Sequence, residues 1–221
     1  MIDRVRDPHE DSRHAMVELQ LRRRGIRDER VLAAMARVPR HEFVSARQQE
    51  FAYEDRPLPT EEGQTVSQPY IVAFMLERLA LAASDRVLEV GTGSGYQTAL
   101  LAELTRHVYS IERHASLAQQ AEAILSFLGY TNLTIVVGDG TLGVPQWAPY
   151  DRIVVSAAAP EIPSSLVDQL GESGRMIVPV GPLLSQQLQL VEKREGRAVV
   201  TLLENCRFVP LIGVEGYAPG G

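Results

Sequence analysis

The sequence predicts an α/β fold with a doubly wound parallel sheet, a helical N-terminal extension and an antiparallel hairpin at one sheet edge. Three observations support this. From residue 86 onward, short apolar runs alternate with amphipathic segments, as expected for a parallel sheet covered by helices. Before residue 80, apolar positions recur at helical spacing. Beyond Gly181, two strand-like runs flank a tight turn, which indicates a hairpin.

The first part of the chain, residues 1–80, is predicted to be helical. Apolar residues at helical spacing within 31–38 follow Asp28, a candidate N-cap, and Pro39 closes the segment. The preceding segment 12–24 also has a helical pattern. We therefore expect at least two helices before the sheet.

A loop and a third helix complete this part. Residues 46–67 are rich in proline, glycine and polar residues, and long loops in compact domains are often functional. Pro69 suits the first turn of a helix whose apolar stripe spans 71–79. Ser67 lies at the entrance of this helix, where it is also a candidate N-cap.

The second part, residues 81–221, carries the predicted sheet within one domain. Strands are predicted at 86–90, 107–111, 133–137, 151–155 and 175–180, and helices at 96–104, 115–128 and 163–170. Segments 186–193 and 198–203 form the predicted hairpin around 194–197. The last residues, 218–221, are expected to fray.

Composition narrows the class of protein. The 221 residues carry a net charge of −6, with a sequence pI near 5.4, which argues against a surface that tracks nucleic-acid phosphates. The run Arg22 to Arg24 is explained by a solvated helix end. The single cysteine, Cys206, excludes an internal disulfide and suits a reducing compartment as a buried apolar residue.

Location, assembly and metal content are also predicted. Residues 1–8 have no apolar leader pattern, and no segment has an apolar run long enough to span a bilayer. We therefore expect a soluble, cytoplasmic protein without nucleic-acid or membrane partners, acting as a monomer. The histidines have no metal-ligand spacing, so we expect no metal; they are His9, His14, His41, His107 and His114.

The segment 87–98 joins a strand to a helix through three alternating glycines. Such a turn allows positive φ and brings backbone N–H groups close to a ligand. A dinucleotide fingerprint would need glycine where Tyr96 stands, so a nicotinamide cofactor is disfavoured. Glu89 would repel phosphates but suits an ammonium group. S-adenosylmethionine carries an ammonium group and no phosphate, so it suits this turn. The alternative is a glycine-rich turn that binds no ligand.

Two further carboxylates complete the outline of a cofactor site. Glu112 ends the second strand about twenty residues beyond the glycine turn, where it suits the ribose hydroxyls. Asp139, in a turn after the third strand, suits the adenine amino group. The alternative for Glu112 is a solvated carboxylate at a strand end, and the alternative for Asp139 is a turn without a ligand. The predicted cofactor-binding residues are Gln68, Glu89, Gly91, Thr92, Gly93, Ser94, Gly95, Glu112, Arg113, Asp139 and Gly140.

Several segments together resemble the protein-L-isoaspartate (D-aspartate) O-methyltransferase family. The most specific are 62–70, with its Gln-Thr-Val-Ser-Gln-Pro run, and the glycine turn. Further segments at 53–59, 148–151, 157–163 and 206–211 extend the resemblance over nearly the whole chain.

The resemblance implies a Rossmann-like methyltransferase sheet and S-adenosylmethionine as methyl donor. The acceptor would be the α-carboxylate of an L-isoaspartyl residue in a damaged protein, whose methyl ester cyclises to a succinimide that reopens partly to aspartate. The family's active-site serine corresponds to Ser67. We expect Ser67, with Thr65, to position the acceptor, because a carboxylate is already ionised at neutral pH and needs no general base.

Other readings remain at this point. A methyltransferase of the same fold could act on a small molecule or RNA, although the acidic pI disfavours RNA. A cofactor-binding module without catalysis is a third class, against which Ser67 and the intact glycine turn argue. The family also has a variant order of its last strands, and some members carry a longer C-terminal segment that helps to close the site.

Overall fold

The computed structural model describes residues 8–218. The predictions for the leader region and for most of the frayed end therefore lie outside the described residues. Within 8–218, no helix combines the length and the apolar character needed to cross a membrane.

The N-terminal part is helical, as predicted. Helix α1 (Glu10–Ala15) continues into a π-helical segment (Met16–Leu21) and a 3₁₀ turn (Arg22–Arg24), and α2 covers Glu29–Arg37. The prediction that Asp28 caps α2 is confirmed, because its carboxylate accepts hydrogen bonds from the backbone N–H groups of the first turn.

Residues 46–67 contain more regular structure than the predicted loop. They include a 3₁₀ helix (Ala46–Phe51) and a two-stranded antiparallel ribbon of β1 (Leu58–Pro59) and β2 (Thr65–Val66). Another 3₁₀ helix, Arg40–Phe43, precedes them. Helix α3 (Pro69–Leu79) follows with proline in its first turn, as predicted. Elements this short carry too little periodicity to be recognised from sequence.

A seven-stranded sheet forms the second part and confirms the predicted fold class. Its strands are β3 (Arg86–Val90), β4 (His107–Glu112), β5 (Leu133–Val137), β6 (Tyr150–Val155), β7 (Leu170–Val180), β8 (Gln186–Arg194) and β9 (Arg197–Cys206). The helices are α4 (Tyr96–Leu104), α5 (Ala115–Phe127) and α6 (Ser164–Gln169). The strand order is β5-β4-β3-β6-β7-β8-β9, with parallel pairing from β5 to β7.

The sheet ends in the predicted antiparallel hairpin. Strands β8 and β9 pair in chain order beyond β7, which settles the order of the last strands. Strand β7 begins five residues before its predicted start, because 170–174 pair irregularly beside β6. The glycine turn follows β3, next to the point where the strand order reverses, which is where open α/β sheets bind ligands.

Two apolar layers cover the two faces of the sheet. Alternate residues of one strand enter different layers: Val87 packs with the N-terminal helices and α4, whereas Leu88 packs with residues of β6, β7 and α6. All three apolar residues of 153–155 are fully buried, which explains the continuous apolar runs that predicted a parallel sheet. The N-terminal helices therefore share a core with the sheet.

Candidate active site

A cavity of about 310 Å³ lies at the carboxyl ends of the parallel strands. Four pieces of chain line it. They are the loop and Ser67 segment with the start of α3 (57, 64–68, 71, 72), the glycine turn with the start of α4 (90–94, 96, 97), the ends of β4 and β6 together with Gly140 (111–114, 140, 156, 157), and the C-terminal segment (205–212). Its volume is within the usual range for small-molecule sites.

The glycine turn has the backbone conformation that only glycine adopts without strain. Gly91, Gly93 and Gly95 have φ values of 94°, 54° and 89°. A side chain at Gly95 would also press against Ala121 and Leu125 at 3.2 Å, whereas the space beside Gly93 is open. Gly95 therefore lets the turn pack on α5 and does not line the cavity, although Gly91, Gly93 and their neighbours Thr92 and Ser94 do.

Glu112 lies at the cavity wall, where the sequence predicted a ligand group. Its carboxylate is almost fully buried and accepts hydrogen bonds from the backbone N–H of Gly93 at 2.9 Å and of His114 at 3.0 Å. Glu112 thus ties the glycine turn to the end of β4. Each carboxylate oxygen retains acceptor capacity for a ligand hydroxyl. The neighbouring Arg113 also lines the cavity.

Glu89 lies beneath the glycine turn, outside the cavity lining. It is fully buried, and one oxygen accepts hydrogen bonds from the Thr98 hydroxyl at 2.5 Å and the Ser110 hydroxyl at 2.7 Å. The other accepts from the Gln97 amide at 3.2 Å, and Thr92 contacts Ser110 at 2.6 Å. The geometry supports a positioning role for Glu89, and its direct contact with an ammonium group stays a prediction.

Burial also changes the ionisation of this carboxyl group. Desolvation raises the pKa of Glu89 from 4.5 to about 7, although the three donors favour the charged form. The carboxyl group and its hydroxyl partners form a polar network under the turn. Two members of that network, Thr92 and Gln97, also line the cavity, so the network couples the buried carboxyl group to the cavity wall.

Asp139 faces the C-terminal segment. Its carboxylate accepts hydrogen bonds from the backbone N–H and hydroxyl of Thr141 and from the backbone N–H of Val214 at 2.8 Å. Desolvation opposes ionisation here, but these donors keep the pKa of Asp139 below its ordinary value. Gly140 lines the cavity, whereas Asp139 does not. Contact of Asp139 with adenine therefore stays a prediction, and its observed partners hold the C-terminal segment.

The Ser67 segment forms the opposite wall of the cavity, and both Ser67 and Thr65 line it. The N-cap of α3 is Gln68 and not Ser67. Asp55 caps the helix instead, because its carboxylate accepts from the backbone N–H of Tyr70 at 3.1 Å. The Ser67 hydroxyl makes no hydrogen bond with any part of residues 8–218, so it is available to a ligand.

Gln68 is both a lining residue and an anchor. Its amide nitrogen donates to the Asp55 carboxylate at 2.9 Å and to the Asp55 carbonyl at 3.0 Å. Arg24 also pairs with Asp55 and lies over the ring of Tyr70, so it is more than the solvated helix end that the sequence predicted. Asp55 thus joins the loop to the start of α3.

Comparison with known proteins agrees with this architecture. The family model described as Protein-L-isoaspartate(D-aspartate) O-methyltransferase (PCMT) matches residues 11–216. The chain belongs to this family. It is 57% identical over 211 residues to a protein-L-isoaspartate O-methyltransferase of Methanoculleus marisnigri, covering 96% of both chains. It is 56% identical over 207 residues to that of Koribacter versatilis, covering 94% of this chain and 93% of the relative.

Solved structures of protein-L-isoaspartate O-methyltransferases are also similar. One has a TM-score of 0.84 and 31% identity, with 94% of this chain and 67% of that chain covered. Another, from Plasmodium falciparum in complex with S-adenosyl-L-homocysteine, has a TM-score of 0.79 and 28% identity, with 90% and 98% covered. The predicted family membership is therefore confirmed.

In this member of the protein-L-isoaspartate O-methyltransferase family, the C-terminal segment 205–212 forms a cavity wall that the sequence analysis did not assign to the site. Backbone hydrogen bonds join Ala158 to Val209 and Leu211 at 2.8 Å each, which holds the wall against the end of β6. Cys206 is half-buried in this wall, whereas the sequence predicted a buried residue. Burial raises the pKa of its thiol to about 11.

Gln97 and Ser156 are two further lining residues without a clear sequence signal. The Gln97 amide donates to the Ser156 hydroxyl at 2.7 Å as well as to Glu89. These residues meet only because α4 and β6 converge beneath the glycine turn. Within residues 8–218, no group of three or more His, Cys, Asp or Glu side chains is arranged to hold a metal ion.

Proposed function

We propose that this protein transfers a methyl group from S-adenosyl-L-methionine to the α-carboxylate of L-isoaspartyl residues in damaged proteins. The observation that carries the proposal is that one cavity has two chemically different walls. The glycine turn with Glu112 forms one of these walls and the Ser67 segment forms the second, while the C-terminal segment 205–212 completes the lining. A donor and an acceptor bound at these walls would lie side by side, as a transfer reaction requires.

The residues present fit S-adenosyl-L-methionine. The open space beside Gly93 admits a ligand against the backbone, and the buried Glu112 offers acceptors for ribose hydroxyls. We propose that Gly91, Thr92 and Ser94 contact the cofactor together with Gly93. Arg113, Asp139, Gly140 and Gln68 complete the proposed set, with Glu89 and Gly95 acting through the shape of the turn. The cofactor supplies a methyl group activated by a sulfonium sulfur.

The acceptor side needs orientation and no base. An isoaspartyl carboxylate has a reference pKa of about 4 and is ionised at neutral pH. We propose that the Ser67 hydroxyl, which has no hydrogen-bond partner among residues 8–218, donates a hydrogen bond to the acceptor, with Thr65 beside it. We further propose that the C-terminal wall excludes water from the carboxylate. The neighbouring backbone amide nitrogen would then attack the ester carbonyl and release methanol, which forms a succinimide without help from the protein.

The cellular setting follows the same proposal. We propose isoaspartyl proteins and peptides as partners, no nucleic-acid partner, and a monomer that acts in the cytoplasm. The net charge of −6 and the single cysteine support this setting. We further propose that residues 1–221 work as one domain, in which 1–80 form a helical part that carries the Ser67 segment and 81–221 form the α/β core that carries the glycine turn.

A pair of peptides that differ only at one aspartyl linkage tests the proposed function. We expect methyl label from S-adenosyl-L-methionine to enter the isoaspartyl peptide and not its aspartyl twin. The Ser67→Ala variant serves as a matched control for contaminating activity. Equal labelling of both peptides, or labelling of RNA alone, would contradict the proposal.

A further inference from the structure

The Ser67 segment must be held in place by something other than its own hydroxyl, because that hydroxyl makes no hydrogen bond within residues 8–218. The carbonyl oxygen of Ser67 accepts a hydrogen bond from Arg40 Nη2 at 2.9 Å. Arg40 lies in the 3₁₀ helix 40–43, before the loop that leads to the site. The contact joins two segments that are 27 residues apart.

The same guanidinium group contacts two more parts of the site. Its Nε donates to the carbonyl of Ala52 at 2.7 Å, inside the loop 46–67. Its Cζ lies 4.8 Å from the centre of the Tyr96 ring, at the start of α4 directly after the glycine turn. Tyr96 lines the cavity. The Arg40 side chain therefore contacts the Ser67 segment, the loop that precedes it and Tyr96 beside the glycine turn.

Arg40 is fully buried, which makes its position costly. Burial of a cation carries a desolvation penalty, and this burial lowers the pKa of the Arg40 guanidinium. A buried apolar residue of similar size would avoid this penalty. The planar fork of arginine can hold two carbonyl groups at fixed positions, which a lysine ammonium group cannot do in the same geometry.

We infer that Arg40 is a positioning residue for methyl transfer, which sets the Ser67 segment against the glycine turn. This inference rests on the proposed function. Arg40 acts through Ser67, because it binds the Ser67 backbone and does not line the cavity. A displacement of about 1 Å in a reacting group can lower a rate by up to about a hundredfold, so such an anchor affects turnover.

A matched control contacts the other end of α3, the helix that follows the Ser67 segment. Arg152 also bridges two backbone carbonyls at the C-terminus of α3, those of Leu79 at 2.8 Å and Ala80 at 3.2 Å. It further contacts the Asp151 carbonyl at 2.8 Å and the Asp85 carboxylate at 3.5 Å. It does not line the cavity. Arg40→Lys and Arg152→Lys therefore remove similar forks from opposite ends of α3, and only the first is near Ser67.

The experiment compares turnover of an isoaspartyl peptide with affinity for S-adenosyl-L-homocysteine. We expect Arg40→Lys to lower kcat about tenfold and to change the cofactor Kd by less than about threefold. Arg152→Lys should leave kcat within about twofold of the parent. In a Ser67→Ala background, Arg40→Lys should lose most of its effect, because residues that act as a unit are not additive. Independent, multiplying effects would overturn the inference.

Two additions keep the result decisive. Arg40→Gln, which buries no charge, is measured in parallel. If both Arg40 variants are unfolded while Arg152→Lys is folded, Arg40 serves stability alone and the inference is overturned. Hydrogen exchange of residues 64–70 is measured without substrate. Faster exchange in Arg40→Lys than in Arg152→Lys is expected, and equal exchange overturns the inference. If the parent does not methylate the isoaspartyl peptide, the proposed function fails while this exchange test still stands.

Discussion

At the scale of single residues, three carboxylates near the glycine turn have different tasks. Glu112 faces the cavity, Glu89 is buried in a polar network under the turn, and Asp139 holds the C-terminal segment. The sequence predicted cofactor contacts for all three. It could not separate their roles, because the direction of a side chain at a strand end depends on which helix and loop pack beside it.

Ser67→Ala should lower turnover of an isoaspartyl peptide and leave cofactor affinity nearly unchanged. Ser67 lines the cavity, and its hydroxyl has no hydrogen-bond partner in the described part of the chain, so its removal leaves the cofactor wall intact. Steady-state kinetics and titration with S-adenosyl-L-homocysteine measure the two effects. An unchanged kcat would exclude Ser67 from acceptor positioning.

Glu112→Gln should lower the affinity for the cofactor, whereas Ser67→Ala should lower turnover. The change keeps the size of the side chain but weakens its acceptors, so cofactor binding should fall by about 1–3 kcal/mol. Calorimetry with S-adenosyl-L-homocysteine measures this change. A parent-like Kd would remove Glu112 from the cofactor site.

Glu89 should make folding stability depend on pH. Its pKa is about 7 in the folded protein, against an ordinary value of 4.5, so the folded state binds more protons than the unfolded state between these values. The contribution of Glu89 to stability is therefore present at low pH and is lost as pH rises towards 7.

Glu89→Gln removes this titration. From pH 5 to pH 8, the unfolding free energy of the variant should therefore rise relative to the parent, by up to about 3 kcal/mol. Urea unfolding of both proteins at the two pH values measures the difference. A difference that stays constant with pH would show that Glu89 does not titrate in this range.

At the scale of elements, Asp55 links the loop 46–67 to α3. It caps the helix through Tyr70 and holds the side chain of Gln68, so one carboxylate fixes the entry to the Ser67 segment from a distant position in the chain. A cap supplied from another segment leaves no local signature such as the one that identified Asp28. Sequence analysis therefore assigned the capping position to Ser67.

Replacement of either capping aspartate by alanine separates stability from function. Asp55→Ala and Asp28→Ala should each cost about 1 kcal/mol of stability or somewhat more, because each removes a helix cap. Only Asp55→Ala should also lower turnover, since Asp55 holds the lining residue Gln68, whereas Asp28 caps α2. Thermal unfolding and peptide methylation measure the two effects. Equal turnover in both variants would contradict a role for Asp55 in shaping the site.

At the scale of the whole molecule, the sequence predicted the elements that have strong periodicity. The strands, the long helices and the hairpin were found because buried parallel strands and amphipathic helices leave clear patterns. The cavity wall at 205–212 and the anchor Arg40 were missed. Their roles depend on contacts between segments far apart in the chain, such as Val209 with Ala158, which no local pattern encodes.

The most direct test of the account follows the repair outcome itself. An isoaspartyl peptide is incubated with the protein and S-adenosyl-L-methionine, and the isoaspartyl and aspartyl forms are separated by chromatography over time. The account predicts that the isoaspartyl form declines while its aspartyl twin appears, and that neither happens without the methyl donor. An isoaspartyl content that stays constant while the folded protein binds its cofactor would contradict the account.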